Sequence, residues 1–203
     1  MTIDADTLAA AIGARVRQER QAHGWTLDQL SETAGISRRM LVNVEQGAAN
    51  PSIATLLRLS DALGVGLPAL VEPPQSHGVK VIRSGDGAVL WTGEHGGRGV
   101  LMVGTASPDV MELWDWVMKP GESLSSEPHA PGTKELLHLM SGELTVTVSG
   151  EPHVLEAGDA FSFSGDVEHS YAATGPEPAR FAMSVFEPGV GAGHHRSAGA
   201  PWV

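Results

Sequence analysis

The stretch Glu127–Leu144, "EPHAPGTKELLHLMSGEL", decides how the second half of this chain folds. Glu127 and His129 stand two apart, so in a strand both side chains share one face. Glu135 follows a Pro-Gly-Thr turn, Gly142 closes the segment, and Glu143–Val148 is expected to run back as the next strand. Histidine and carboxylate at these spacings are metal-ligand types. The same alternation turns His138 away from the interior.

Outward from this stretch the chain keeps the same texture. "VKVIRS", "AVLWTG", "VLMVGT", "MELWDWVM", "LLHLM", "ELTVTV", "HVLEA", "AFSFS" and "ARFAMSVF" are short apolar or alternating runs divided by Gly, Pro, Ser or Asp. Many short strands at such spacing indicate a barrel or sandwich. Trp114, Trp116, Met118, Leu137, Leu139, Phe161, Phe163, Phe181 and Met183 are the candidates for its lining. In the third run Glu112, Trp114, Trp116 and Met118 oppose Leu113, Asp115 and Val117, and sequence alone leaves open which set faces in. His153 is expected on a strand surface. The Gly- and Ala-rich tail 188–203, with His194 and His195, has little to bury and is expected to be mobile.

Upstream the pattern is helical. Leu8, Ile12 and Val16 recur at helical spacing. Thr26 and Ser37 precede apolar-periodic runs as N-caps, and Gly24, Gly35, Gly47 and Gly64 fall where helices stop. "NPS" at Asn50–Ser52 opens a further helix over Ile53–Leu63, with Pro51 at an early, tolerated position. About five short helices are expected in residues 1–70. "VEPPQSHG", Val71–Gly78, is a Pro-rich connector, giving a linker over 71–79 and a β domain over 80–187.

Composition bounds the chemistry. The chain has 203 residues, enough for two small domains, and no cysteine. Disulfides, thiolate metal sites and thiol catalysis are excluded, which agrees with a cytoplasmic location. No apolar run approaches the roughly 18 residues of a membrane span. The formal net charge is −11. Residues 1–70 hold six basic and seven acidic residues, whereas the rest hold seven and seventeen. Arg15, Arg17, Arg20, Arg38 and Arg39 crowd together in the helical half, where a local basic face can meet phosphates despite the acidic total.

Leu27–Thr33, a turn at Gly35 and Ser37–Gln46 form a helix–turn–helix pattern. Leu41 and Val44 are expected to face the core, with Ile36 packing just before. Arg38, Arg39, Asn43 and Gln46 then point outward, and these residue types read bases at the exposed end of a helix. Over Leu8–Leu70 the chain resembles the phage-repressor-like (Xre) helix–turn–helix family, through "WTLDQLSETAGIS" and "LVNVEQGAANPSIATLLRLSDALG". The resemblance implies recognition residues at Arg38, Arg39 and Asn43 and a buried Glu45. The family's glutamine near the start of the second helix is Leu27 here, so Thr26, Ser37 and nearby arginines are expected to meet the DNA backbone.

Residues 80–187 resemble a cupin, a jelly-roll barrel, giving an α+β protein of two domains. Its first motif runs Gly121, five residues, Glu127-Pro128-His129, five residues, Glu135, six residues, Gly142. Its second falls on Gly158, Ser164, Asp166, His169 and Ala173. The resemblance implies metal ligands His129, Glu135 and His169, with Glu127 in place of the usual first histidine. Two His and one carboxylate suit a divalent metal such as Fe, Mn, Ni or Zn. Without a metal, close carboxylates at Glu127 and Glu135 suit a cationic or amine ligand. Glu127, Trp114, Trp116, Leu137 and Phe163 are the candidate ligand contacts.

Together the halves resemble the Xre–cupin regulators. What that implies is a homodimer on a palindromic double-stranded operator, a small-molecule effector in the barrel and no membrane partner. The alternative is an Fe(II) cupin oxygenase or epoxidase with an accessory helix–turn–helix-like domain.

Overall fold

The computed structural model describes residues 5–71 and 79–191. Five helices come first: α1 (Ala5–Ala22), α2 (Leu27–Thr33), α3 (Arg38–Glu45), α4 (Ile53–Leu63) and α5 (Leu67–Val71). Their ends follow local chemistry. The Thr26 hydroxyl accepts from the Gln29 amide, and the Gln29 side chain accepts from the Thr26 amide, closing a capping box. Ser37 and Ser52 cap α3 and α4 through their hydroxyls alone, which accept from the Met40 and Thr55 amides, and Gly64 ends α4 at φ +66°, a conformation that glycine adopts without strain. Leu8, Ile12, Val16, Leu30, Leu41, Val44, Leu56, Leu59 and Leu63 close the helical core.

Ten strands follow: β1 (Ala88–Thr92), β2 (Arg98–Gly104), β3 (Val110–Met118), β4 (Ser123–Ser126), β5 (Lys134–Ser141), β6 (Glu143–Val148), β7 (Glu151–Glu156), β8 (Ala160–Ser164), β9 (His169–Ala173) and β10 (Ala179–Glu187). One sheet has the order β1-β2-β3-β10-β5-β8 and the other β4-β9-β6-β7, all antiparallel. Alternation places Glu112, Trp114, Trp116 and Met118 inside, together with Phe181, Met183, Val185 and Glu187 of the neighbouring β10. Trp116 stacks on Phe181 at 5.9 Å between ring centres, and Phe181 stacks on Tyr171 of the opposite sheet at 6.1 Å. Aromatic pairs thus tie the sheets together.

The helical part packs directly on the barrel. A Cβ on Gly104 of β2 would lie 2.0 Å from Pro68 Cγ, and one on Gly66 would lie 2.6 Å from Val110 Cγ2. Glycine at both places is what lets the backbone of one part meet the side chains of the other.

Several expectations are corrected. Residues 79–84 form no strand, and Val79 is almost fully exposed. Strands β4 and β9 carry no strong apolar signal, yet they pair with each other and complete the second sheet. The turn at Gly142 does not make a hairpin: β5 pairs with β10 and β8, while β6 pairs with β9 and β7, so the chain changes sheets there. Pro51 precedes the cap Ser52 instead of opening the helix. Val71 belongs to α5, and the rest of the expected connector, 72–78, lies outside the described residues. The tail is packed through Gly191, whose Cα meets Gly64, with Val190 buried; His194 and His195 lie outside the described residues. Among the described residues no helix is long and apolar enough to cross a membrane.

Candidate DNA interface and metal-ligand chamber

Helices α2 and α3 meet across the Gly35 turn, where φ is +62°. Leu41, Val44 and Glu45 are buried on one side of α3. Arg38, Arg39 and Gln46 are exposed on the other, and Asn43 is half-buried. Arg38 Nε pairs with Asp28 Oδ1 at 2.8 Å, both side chains being more than half exposed. Such a surface pair holds its arginine only weakly. The hydroxyls of Thr26 and Ser37 accept from the Gln29 and Met40 amides, leaving their hydrogens free to donate.

The arginine cluster is less basic in space than in sequence. Arg20 Nε and Nη2 reach the buried Glu45 carboxylate at 2.6 and 2.9 Å, and Arg20 Nη1 donates to Trp25 O at 2.8 Å. Arg17 also leans on Glu45, at 3.4 Å, and Arg15 pairs with Glu19 at 2.8 Å. Arg17 and Arg20 therefore brace α1 against the end of α3, Arg15 is paired within α1, and Arg20 is not available to a phosphate. The Glu45 hydrogen bonds act chiefly to raise the pKa of Arg20 against the opposing effect of burial.

The barrel site is built from three segments. Glu135 is the second residue of β5 with its side chain inward, His169 opens β9, and His129 lies in the coil after β4, its amide donating to Gly165 O at 2.9 Å. His129 Nε2 stands 2.9 Å and His169 Nε2 3.2 Å from Glu135 Oε1, and one ligand atom from each residue fits within 4.8 Å of the others. The Tyr171 hydroxyl donates to Glu135 Oε2, and His169 Nδ1 donates to Val167 O at 2.8 Å. Burial alone would raise the Glu135 pKa; the two histidines outweigh it and hold the carboxyl at about 2. Burial lowers the His169 pKa, but Glu135 and the Val167 carbonyl raise it further, for a net increase. Tyr171 is pushed well up, first by burial and then by Glu135.

These residues fit a metal. With Nδ1–H committed to a carbonyl, His169 presents Nε2 to the carboxylate, a place filled by a proton in the metal-free form and by a metal cation when one is bound. That Nε2 is buried and lacks a well-aligned hydrogen bond although Glu135 is close. Metal–N and metal–O bonds of about 2.1 Å put adjacent ligand atoms about 3 Å apart, as they stand here. A Cβ on Gly165 would lie 3.1 Å from Glu135 Oε1 and 3.2 Å from His129 Cδ2, so glycine keeps this side open. Bound there, a divalent metal would supply a Lewis acid to whatever molecule shares the chamber.

Glu127 does not join them. Strand β4 ends at Ser126, so the alternation that would aim Glu127 inward is lost, and its carboxylate pairs with Arg58 of α4 on the surface. Carboxylate repulsion between Glu127 and Glu135 therefore has no basis here. Of the expected ligand contacts, Trp114 and Trp116 line the chamber of about 40 Å³ above the triad, and Glu127 lines the larger cavity beside it. Leu137 is instead packed in the core, and Phe163 lays its ring against His169 at 5.1 Å. Where the second motif departs from its pattern, Ser164 receives Lys134 Nζ and Asp166 receives the Gly132 amide. His138 is exposed, and His153 packs beside Phe161.

The chamber opens into a cavity of about 590 Å³ whose other wall is helix α4: Ser52, Ile53, Leu57, Arg58 and Asp61 face Leu90, Trp91, His129 and Glu187. Sequence reasoning missed Tyr171, Glu187, Glu112 and Arg58. Tyr171 follows His169 by two in a strand, and Glu187 follows Phe181 and Met183 in the same alternation. Period two was the available signal.

Comparison with known proteins agrees with this construction. The helix–turn–helix family matches residues 16–70 and the cupin domain family residues 114–196. The chain is 28% identical to the HTH-type transcriptional regulator SutR of Escherichia coli, over 90% of this chain and 98% of that one. It is 33% identical to the dimethylsulfoniopropionate lyase DddW of Ruegeria pomeroyi, over 56% of this chain and 72% of that one. The crystal structure of an HTH_3 family transcriptional regulator from Vibrio cholerae superposes with a TM-score of 0.69 at 22% identity, covering 91% of this chain and 99% of that chain. The chain belongs to the HTH-type transcriptional regulators that carry a cupin domain. SutR, which matches the chain nearly end to end, is a transcriptional regulator.

Proposed function

We propose that residues 1–70 read a palindromic operator as part of a homodimer, and that the barrel over 80–187 takes a small effector that alters this binding. Arg38, Arg39, Asn43 and Gln46 contact base edges; Thr26 and Ser37 donate to phosphates. A homodimer would carry two such helices into successive major grooves about one turn apart. His129, Glu135 and His169 hold a first-row divalent metal, with Fe, Mn, Ni and Zn all compatible with an all-N/O set.

The observation that carries this reading is the shared wall. Helix α4 belongs to the helical half, yet it lines the cavity above the triad. A ligand there touches both halves at once. It shifts operator binding only through a difference in affinity between arrangements of the two halves, and a wall that moves supplies that difference.

The test is in vitro selection from a random duplex library with the full chain, then fluorescence anisotropy on the selected site. Arg39 is exposed and makes no ion pair among the described residues. Arg39→Glu should therefore cost specific affinity by about a hundredfold or more, losing a bidentate base contact and adding repulsion. Wild-type binding by that variant overturns the assignment of α3.

A further inference from the structure

Glu187 ends β10 with its side chain on the inner face, and it is 6% exposed. It lines both the large cavity and the narrow chamber. Among the described residues no hydrogen bond or ion pair reaches its carboxyl. Its charged neighbours are His129, Asp61 on the facing helix α4, and Glu135. A carboxylate buried this far without a donor is costly, and a second acid across the gap adds to the cost. Arg58 is the cation at the mouth, and in the structure it pairs with Glu127. Glu187 also stands outside the group of ligand atoms formed by His129, Glu135 and His169. What Glu187 lacks is an N–H donor within hydrogen-bond reach.

The remaining walls suit the same molecule. Trp114 and Trp116 line the chamber beside Glu187, and indole faces attract ammonium groups. Ile53, Leu57 and Leu124 add an apolar lining for a carbon chain.

We infer that this cavity binds a small organic cation of the alkylammonium class, its N–H groups donating to Glu187 of the barrel and Asp61 of α4. The inference rests on the reading of the cavity as an effector site and names the chemistry of the effector. It also gives the coupling a physical form. Without the cation, Glu187 and Asp61 repel across the junction of the two halves; with it, they are drawn to a common charge.

The experiment is isothermal titration calorimetry on the full chain, with butylammonium chloride against sodium butyrate, on chelator-treated and on zinc-loaded protein. Butylammonium should bind both forms, and butyrate should not bind the chelator-treated one; on the zinc-loaded form the metal can take a carboxylate. Glu187→Gln, close to isosteric, should weaken butylammonium by at least about thirtyfold, since it removes one partner of a buried charge pair. Asp61→Asn should weaken it less, its carboxylate being more exposed, and the surface change Glu151→Gln should have no effect. Butyrate binding the chelator-treated form as tightly as butylammonium overturns the inference, as does wild-type butylammonium affinity in Glu187→Gln. Zinc lost from Glu187→Gln with no butylammonium binding in either form also overturns it, and makes Glu187 a counter-charge to the metal. Operator anisotropy separates the two claims. Butylammonium that binds through Glu187 without changing operator affinity upholds the site and removes its effector role. A neutral or anionic ligand that changes operator affinity upholds the effector reading and overturns the charge assignment.

Discussion

Replacing Arg20 by methionine should unfold the recognition half long before the barrel. Arg20 makes two close bonds to the Glu45 carboxylate and a third to the Trp25 carbonyl, joining α1, the turn before α2 and the end of α3. The Glu45 side chain is 3% exposed. Methionine keeps most of the buried stem and removes every donor. Breaking one side of a buried pair costs about 3–5 kcal/mol, because the other charge stays behind. Arg17, already 3.4 Å away and half exposed, can move toward Glu45 and bring the cost to the lower end, about 3 kcal/mol. A helical unit the length of residues 5–71 has a total stability of about 3–10 kcal/mol. At about 4–8 °C per kcal/mol the helical transition should fall by about 12–25 °C. Far-ultraviolet circular dichroism melting of the full chain reads it, since the helices dominate that signal and the barrel contributes a separate baseline. A shift below about 4 °C, the equivalent of about 1 kcal/mol, would refute the reasoning. So would a double variant, Arg20→Met with Glu45→Met, that is no more stable than Arg20→Met alone, because removing the stranded charge should restore much of the loss.

Three further outcomes follow from the barrel. His169→Ala should abolish stoichiometric metal, read by elemental analysis after zinc loading and desalting; unchanged content would move the ligands elsewhere, to His194 and His195 first. Tyr171→Phe removes the donor to Glu135 and leaves the ligands in place, so competition against a chromogenic chelator should show zinc affinity down by about 10–100-fold. Glu122 is buried between the amides of His95, Gly97 and Lys119, at 2.7, 3.1 and 2.7 Å. Burial pushes its pKa up, but these donors and the His95 charge outweigh it and lower the value overall. Its folded pKa therefore lies below its unfolded one. The stabilisation is present above about pH 4.3 and lost as pH falls through the folded value. Glu122→Gln should flatten the acid limb of a stability-against-pH curve below about pH 5 and change its slope little near neutrality. An acid limb as steep as that of the wild type would count against this.

How far the sequence could be read differed between the halves for a physical reason. In the helical half each boundary rests on residues a few places apart. Thr26 with Gln29, Ser37 with Met40 and Ser52 with Thr55 are local bonds, and they mark α2, α3 and α4 in the sequence itself. In the barrel the boundaries depend on partners far along the chain. Ser123–Ser126 is a polar tetrapeptide that is a strand only because it pairs with His169–Ala173. Val79–Ser84 has the better strand composition and pairs with no strand. Glu127 was misplaced for the same reason: spacing gives a face only while the strand lasts, and β4 stops one residue short of it. His129, Glu135 and His169 were legible because a motif carried them, while Tyr171 and Glu187 had only the two-residue alternation of β9 and β10 to mark them.

The contact between the halves was the part least visible in the sequence, and it has the largest consequence for function. A Pro-rich connector reads as a tether between independent parts. Yet Gly64 meets Gly191, Gly66 meets Val110 and Gly104 meets Pro68, each at a separation that a Cβ would close. Glycine at these places gives the interface its fit and removes its tolerance. A bulky residue at Gly104 would push α5 off β2, and with it the α4 wall of the cavity. Gly104→Val should therefore disturb ligand binding and operator binding together, although residue 104 lines neither site. A loss confined to one of the two activities would mean that the halves act separately and that the shared wall transmits nothing.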